Sequence, residues 1–154
     1  MNKKLIPLMV LAGMLFLTCM PVADAQVLKV ADVTYIQIID VYYADLDDDG
    51  IEDDIKLLVE FSFPTDTVAR VDLNIWIELP SGYTFNVRVS VLRAPGESIL
   101  NIDCFNTAIE SGWYTVTLLA SVMGSGGGRY YIMDEIVFDP PKGGSGLPGV
   151  VAYF

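Results

Sequence analysis

The apolar residues of this chain alternate with polar ones over most of its length. Between Arg70 and Leu79, Val71, Leu73, Ile75, Ile77 and Leu79 share one parity, while Asp72, Asn74, Trp76 and Glu78 take the other. Tyr83, Phe85, Val87, Val89 and Val91 alternate in the same way with Thr84, Asn86, Arg88 and Ser90. Period two marks strands with one buried and one wet face. The intervening Pro80-Ser81-Gly82 predicts a tight hairpin connection. Similar patterning predicts strands near Val27 to Val30, Thr34 to Tyr43, Ile55 to Phe63, Ile99 to Phe105, Trp113 to Val122 and Arg129 to Phe138.

Turn-forming clusters separate these runs: Pro64-Thr65-Asp66, Ala94-Pro95-Gly96, Ser111-Gly112 and the glycine-rich stretch from Gly124 to Gly128. Only Asn106 to Glu110 has room for a helical turn. About eight short strands without an amphipathic helix predict an all-β chain folded as an antiparallel β-sandwich. Past Pro140-Pro141 the sequence becomes KGGSGLPGVVAYF, too rich in Gly and Pro for a central strand, so residues 142–154 read as a flexible tail. Its last residues, Val150 to Phe154, are apolar, which leaves open docking on the domain or on another molecule.

The first 25 residues have a different character. Lys3 and Lys4 precede an apolar run from Leu5 to Leu17, and Ala23-Asp24-Ala25 closes the segment. This is the layout of a secretory signal peptide cleaved before Gln26. The run is short for a bilayer span, which takes roughly 20 residues. A retained membrane anchor is the main alternative and a lipid-modified Cys19 a lesser one. The expected organisation is therefore a signal segment 1–25, one domain 26–141 and the tail 142–154.

Cleavage takes Lys3, Lys4 and Asp24 from a chain with 9 basic and 20 acidic residues, leaving 7 and 19. The strong negative balance disfavours nucleic acid, whose phosphates reward Lys and Arg. Cys104 alone remains after cleavage, so no internal disulfide forms. The chain has no histidine. That removes the commonest general base, the commonest zinc and copper ligand, and every imidazole-based triad.

Much of the negative charge lies in one place, the segment DLDDDGIEDD from Asp45 to Asp54. Hard cations such as Ca²⁺ take six to eight oxygen ligands, and a loop with acids at alternate positions turns them inward. Asp45, Asp47 and Asp49 hold positions 1, 3 and 5. Gly50 permits a sharp turn, the Ile51 carbonyl can ligate from position 7, and Asp53 sits at position 9. These five residues are the predicted calcium ligands. Asp48, Glu52 and Asp54 are spare and are expected to face water or a basic neighbour. A solvated acidic turn is the plain alternative.

Position 12 is Lys56 rather than the bidentate Glu of an EF-hand, and both flanks are strand-patterned. The segment resembles instead the calcium loops on β-hairpins of integrin-type FG-GAP repeats, at Asp45, Asp47, Asp49, Gly50 and Asp53. The likeness covers about a tenth of the chain and implies a bound Ca²⁺ joining two strands, without a propeller. A second stretch, Glu110-Ser111-Gly112-Trp113-Tyr114 leading into Thr115, Val116, Thr117 and Leu118, resembles the penultimate strand of immunoglobulin-like and fibronectin-type domains, where an aromatic pins a corner. In layout the chain is similar to small secreted domains of prokaryotic, including archaeal, cell-surface proteins.

These readings imply a secreted or cell-surface, non-catalytic calcium-binding module with a structural or adhesive role. Adjacent strand residues such as Asp134 and Glu135 take opposite faces, so they make no catalytic carboxylate pair by themselves. Two alternatives stand beside this one. The first is a carbohydrate-binding module using Trp76, on the polar parity of its strand. The second is an assembling subunit that donates a terminal strand, from Val27 to Ile38 or from Gly149 to Phe154, to its neighbour. The expected partners are calcium, a surface protein or glycan, and other copies of the chain.

Overall fold

The structure, a computed structural model, describes residues 35–64, 68–139 and 147–154. The signal segment, the strand expected near Val27 to Val30, and most of the Pro/Gly stretch after Asp139 lie outside the described residues. Eight strands follow: β1 (Tyr35–Ala44), β2 (Asp54–Ser62), β3 (Val68–Glu78), β4 (Thr84–Leu92), β5 (Glu97–Phe105), β6 (Tyr114–Gly124), β7 (Arg129–Phe138) and β8 (Gly149–Tyr153). They form two four-stranded antiparallel sheets, ordered β1-β2-β5-β8 and β4-β3-β6-β7. This is the expected β-sandwich. Asn106 to Glu110, the stretch with room for a helical turn, does not form one: Thr107 and Ala108 turn their N–H groups to the Asp53 carbonyl instead, at 3.0 and 2.7 Å.

The alternating parity settles which side chains meet between the sheets. Val71, Leu73, Ile75, Ile77 and Leu79 are all buried, and they face Ile55, Leu57, Val59, Phe61, Leu100 and Ile102 from the other layer. Each such side chain contributes about 1.5–3 kcal/mol through the water it sheds. The edge strand β4 is only half covered: Val87 and Val91 are buried, Phe85 and Val89 partly so, and Tyr83 is exposed. The predicted hairpin at Pro80-Ser81-Gly82 is present. Gly82 sits at φ 84° and donates to the Leu79 carbonyl, while Glu110 accepts both the Ser81 N–H and its hydroxyl.

The flanks of the sandwich differ. β1 and β7 lie against each other, and the Asp134 carboxylate accepts the Ile38 N–H at 2.7 Å, beside a bulge between Ile38 and Asp40. On the opposite flank β8 lies near β4, with a shallow hollow of about 170 Å³ lined by Phe85, Asn86, Val87, Pro148, Gly149 and Val150. The tail is thus strand at its end. Gly149 to Tyr153 pair with Phe105 to Asn101, so the apolar end of the tail docks on the domain.

Candidate metal centre

The acidic loop closes the β1–β2 hairpin, whose last rungs are Tyr43↔Ile55 and Ala44↔Asp54. Nine residues, 45–53, must turn between those strands. Two of them take left-handed backbone conformations, Asp48 at φ 61° and Gly50 at φ 88°. Glycine carries no Cβ penalty there, and aspartate is among the side chains that tolerate it.

Side-chain carboxylates hold the rest of the turn. Asp45 accepts the N–H groups of Asp49 and Gly50 at 3.0 and 2.9 Å. Asp47 accepts Asp49 N–H at 3.2 Å, and Asp49 accepts Ile51 N–H at 2.8 Å. Each acid therefore curls the backbone around itself, as short Asp side chains do in turns. The outcome is that Asp45, Asp47 and Asp49 each offer a carboxylate oxygen, and these oxygens all lie within 4.8 Å of one another. Desolvation, together with the charges of Asp49, Asp54 and Asp45, holds the Asp47 carboxyl above the usual 3.8, although the Asp49 N–H pulls it the other way.

Of the five predicted ligands, the structure brings these three together. The Ile51 side chain is exposed. Asp53 is not in the cluster; it is 1% exposed, and its carbonyl receives Thr107 and Ala108.

Asp54 departs from expectation. Rather than facing water or a cation, it is fully buried beneath the loop. One oxygen accepts Leu46 N–H at 2.6 Å and Asp47 N–H at 3.2 Å, while the other accepts Asn106 N–H at 2.8 Å. A buried carboxylate is tolerable when its lone pairs are filled in this way. The acid that looked spare is the post on which the acidic loop stands. Its only sequence signal was its place just before the strand expected from Ile55 to Phe63.

Trp76 does lie on the outward face of its sheet, half-buried, with Asn86 and Thr117 as its cross-strand neighbours. Tyr131, also on that face, is two strands and four residues away, roughly 17 Å by strand geometry. Leu119 and Met133 lie between them. Asp134 and Glu135 take opposite faces: Asp134 turns to β1, whereas Glu135 accepts the Thr117 hydroxyl at 3.3 Å.

At the start of β6 the Tyr114 hydroxyl accepts Glu110 N–H at 2.8 Å and donates to the Glu110 carbonyl at 3.0 Å. The ring is buried, tilted against Phe138. A tyrosine at this place, bonded to backbone a few residues upstream, pins a corner between sheets. No family model matches the chain, and neither a curated protein nor a solved structure matches it.

Proposed function

We propose that this chain is a secreted or cell-surface, non-catalytic module, an immunoglobulin- or fibronectin-like β-sandwich whose hairpin loop is made rigid by Ca²⁺ and whose role is structural or adhesive. The observation that carries the reading is the convergence of the Asp45, Asp47 and Asp49 oxygens within 4.8 Å. Charges gathered so closely repel, and a hard divalent cation reverses the sign of that interaction. Asp45, Asp47 and Asp49 would hold the ion, with the Ile51 carbonyl and water completing the shell. All are oxygen donors, the set Ca²⁺ favours. Mg²⁺ wants a smaller, rigid octahedron that keeps more of its own water.

The immunoglobulin-like part of the proposal rests on the β1-β2-β5 and β4-β3-β6-β7 pairings and on the Tyr114 corner. Secretion rests on the signal-like first 25 residues. Against a sugar platform, Trp76 is half-buried, and Leu119 and Met133 separate it from Tyr131.

Calorimetric titration with Ca²⁺, and melting curves with Ca²⁺ or chelator, test the reading. Saturable binding is expected, with stabilisation of about 2.7 kcal/mol at a hundredfold excess over Kd. Mg²⁺ should do much less, and NaCl should not substitute, because screening alone responds to any salt. Asp47→Ala and Asp49→Ala should abolish the response, and Asp48→Ala should keep it. Absence of saturable binding by the wild-type chain would leave only a solvated acidic turn.

A further inference from the structure

We propose that β8 is an exchangeable arm: the strand Gly149–Tyr153 of one copy pairs with β5 of a second copy, in the register it takes on its own β5. This does not rest on the calcium reading.

Three observations lead there. β8 is a small, lightly buried unit at a sheet edge. It makes five rungs with β5, and Val150, Val151, Tyr153 and Phe154 stay about half exposed. Elements with so little buried area open at low cost while the rest of the fold stays intact. The surface it covers is specific, by contrast. Lys56 on β2 donates to Asp103 on β5 and to the Tyr153 hydroxyl, each at 2.6 Å, and Phe154 meets the buried Phe61 edge-on at 5.9 Å between centroids. These contacts select this segment, whichever copy supplies it.

The third observation is the connection. β7 and β8 end up on opposite flanks and in different sheets. Crossing three strand spacings and one sheet separation takes roughly 17 Å. The ten residues from Asp139 to Pro148 can reach roughly 33 Å when extended. The connection therefore has about twice the length that its own domain requires, enough to reach an abutting copy. An exchanged arm recreates every contact of the docked one, which makes exchange a low-cost route to association. With the arm lifted, the β5 edge and Ile102 and Cys104 behind it lose their cover, which disfavours an empty edge.

The register supplies the test. Val150 is the partner of Cys104 across the β5–β8 ladder. Facing residues of an antiparallel pair have Cα atoms about 4.5–5.5 Å apart, within the range a disulfide accepts. Val150→Cys, assembled over a wide range of protein concentrations in a thiol–disulfide buffer, should give covalent dimers or longer species on non-reducing denaturing gels, increasing with concentration. A disulfide found only within single chains at every concentration overturns the proposal. Sedimentation of the wild-type chain decides the matter should that variant not fold. Its mass should rise to a dimer or beyond with concentration, and deletion of residues 147–154 should return it to monomer. A wild-type chain that stays monomeric, or an oligomer that survives the deletion, overturns the proposal equally.

Discussion

The carboxylate of Asp54 accepts the backbone N–H of Asn106 at 2.8 Å, across 52 residues of sequence, while its second oxygen holds Leu46 and Asp47. One buried side chain thus joins the acidic loop to the end of β5. Asn106 sits at φ 52°, and its side-chain amide donates to the Leu147 carbonyl at 3.2 Å, so the same connection continues to the approach of β8.

Replacing Asp54 by Ala strands three backbone donors, each costing about 1–3 kcal/mol when left unmet and buried. We expect a loss of at least about 3 kcal/mol in denaturant titrations, together with weakened calcium binding. Asp54→Asn keeps an acceptor oxygen and should lose less. Equal, small losses for both variants would show that the post is dispensable.

Calcium binding should depend on pH in a way set by Asp47. Its raised pKa means that the folded chain holds this proton more tightly than the unfolded one. Asp47 therefore opposes folding above its folded pKa, and that opposition is relieved as pH falls through it. Ca²⁺ requires the deprotonated form. The calcium-induced rise in Tm should accordingly begin to shrink at a pH above the ordinary carboxylate value of 3.8. Asp72 works in the opposite sense: hydrogen bonds from Arg70 and Ser90 lower its pKa, so its stabilisation is present above the unfolded value and fades as pH falls through the folded one. Melting curves against pH, with calcium and with chelator, separate the two, because only the first effect depends on calcium.

Tyr114→Phe keeps the buried ring and removes the hydroxyl that bridges Glu110 N–H and carbonyl. A loss of about 1–3 kcal/mol is expected from thermal or denaturant unfolding. A neutral outcome would mean that the corner is held by ring packing on Phe138 alone.

Burial pushes the Cys104 thiol up to about 12, with the nearby charges of Asp103 and Asp54 adding to the rise. At neutral pH it should resist alkylation, since the thiolate is the reactive form. Labelling should proceed only as fast as the β5–β8 edge or the whole domain opens, and mass spectrometry over time reads that rate. Immediate, stoichiometric labelling of the native chain would contradict the buried placement.

The sandwich was legible because period-two alternation needs only near neighbours: Val71 to Leu79 name their own buried face. The alternate acids were legible for the same reason, since Asp45, Asp47 and Asp49 are brought together by turns within the loop. Asp54 and Asp53 were not, because their burial is decided by Asn106, Thr107 and Ala108, far along the chain. β8 was half legible. The apolar residues Val150 to Phe154 were visible, but the strand depends on an open β5 edge, and local composition does not record that edge. The Tyr114 corner lay between: the tyrosine and its preceding turn were visible, its hydrogen-bonding partner was not.

Tension that draws Tyr35 away from Ser62, its cross-strand partner, opens the β1–β2 ladder from that end, one rung after another. The bulge divides those rungs into four from Tyr35 to Ile38 and five from Asp40 to Ala44, with the Asp134 bond at the junction. The first group acts as a mechanical fuse: it gives way while the second still keeps the hairpin and its acidic loop shut. Single-molecule stretching between Tyr35 and Ser62 should show a short early extension before the main rupture, and one undivided rupture would show that the ladder yields as a whole.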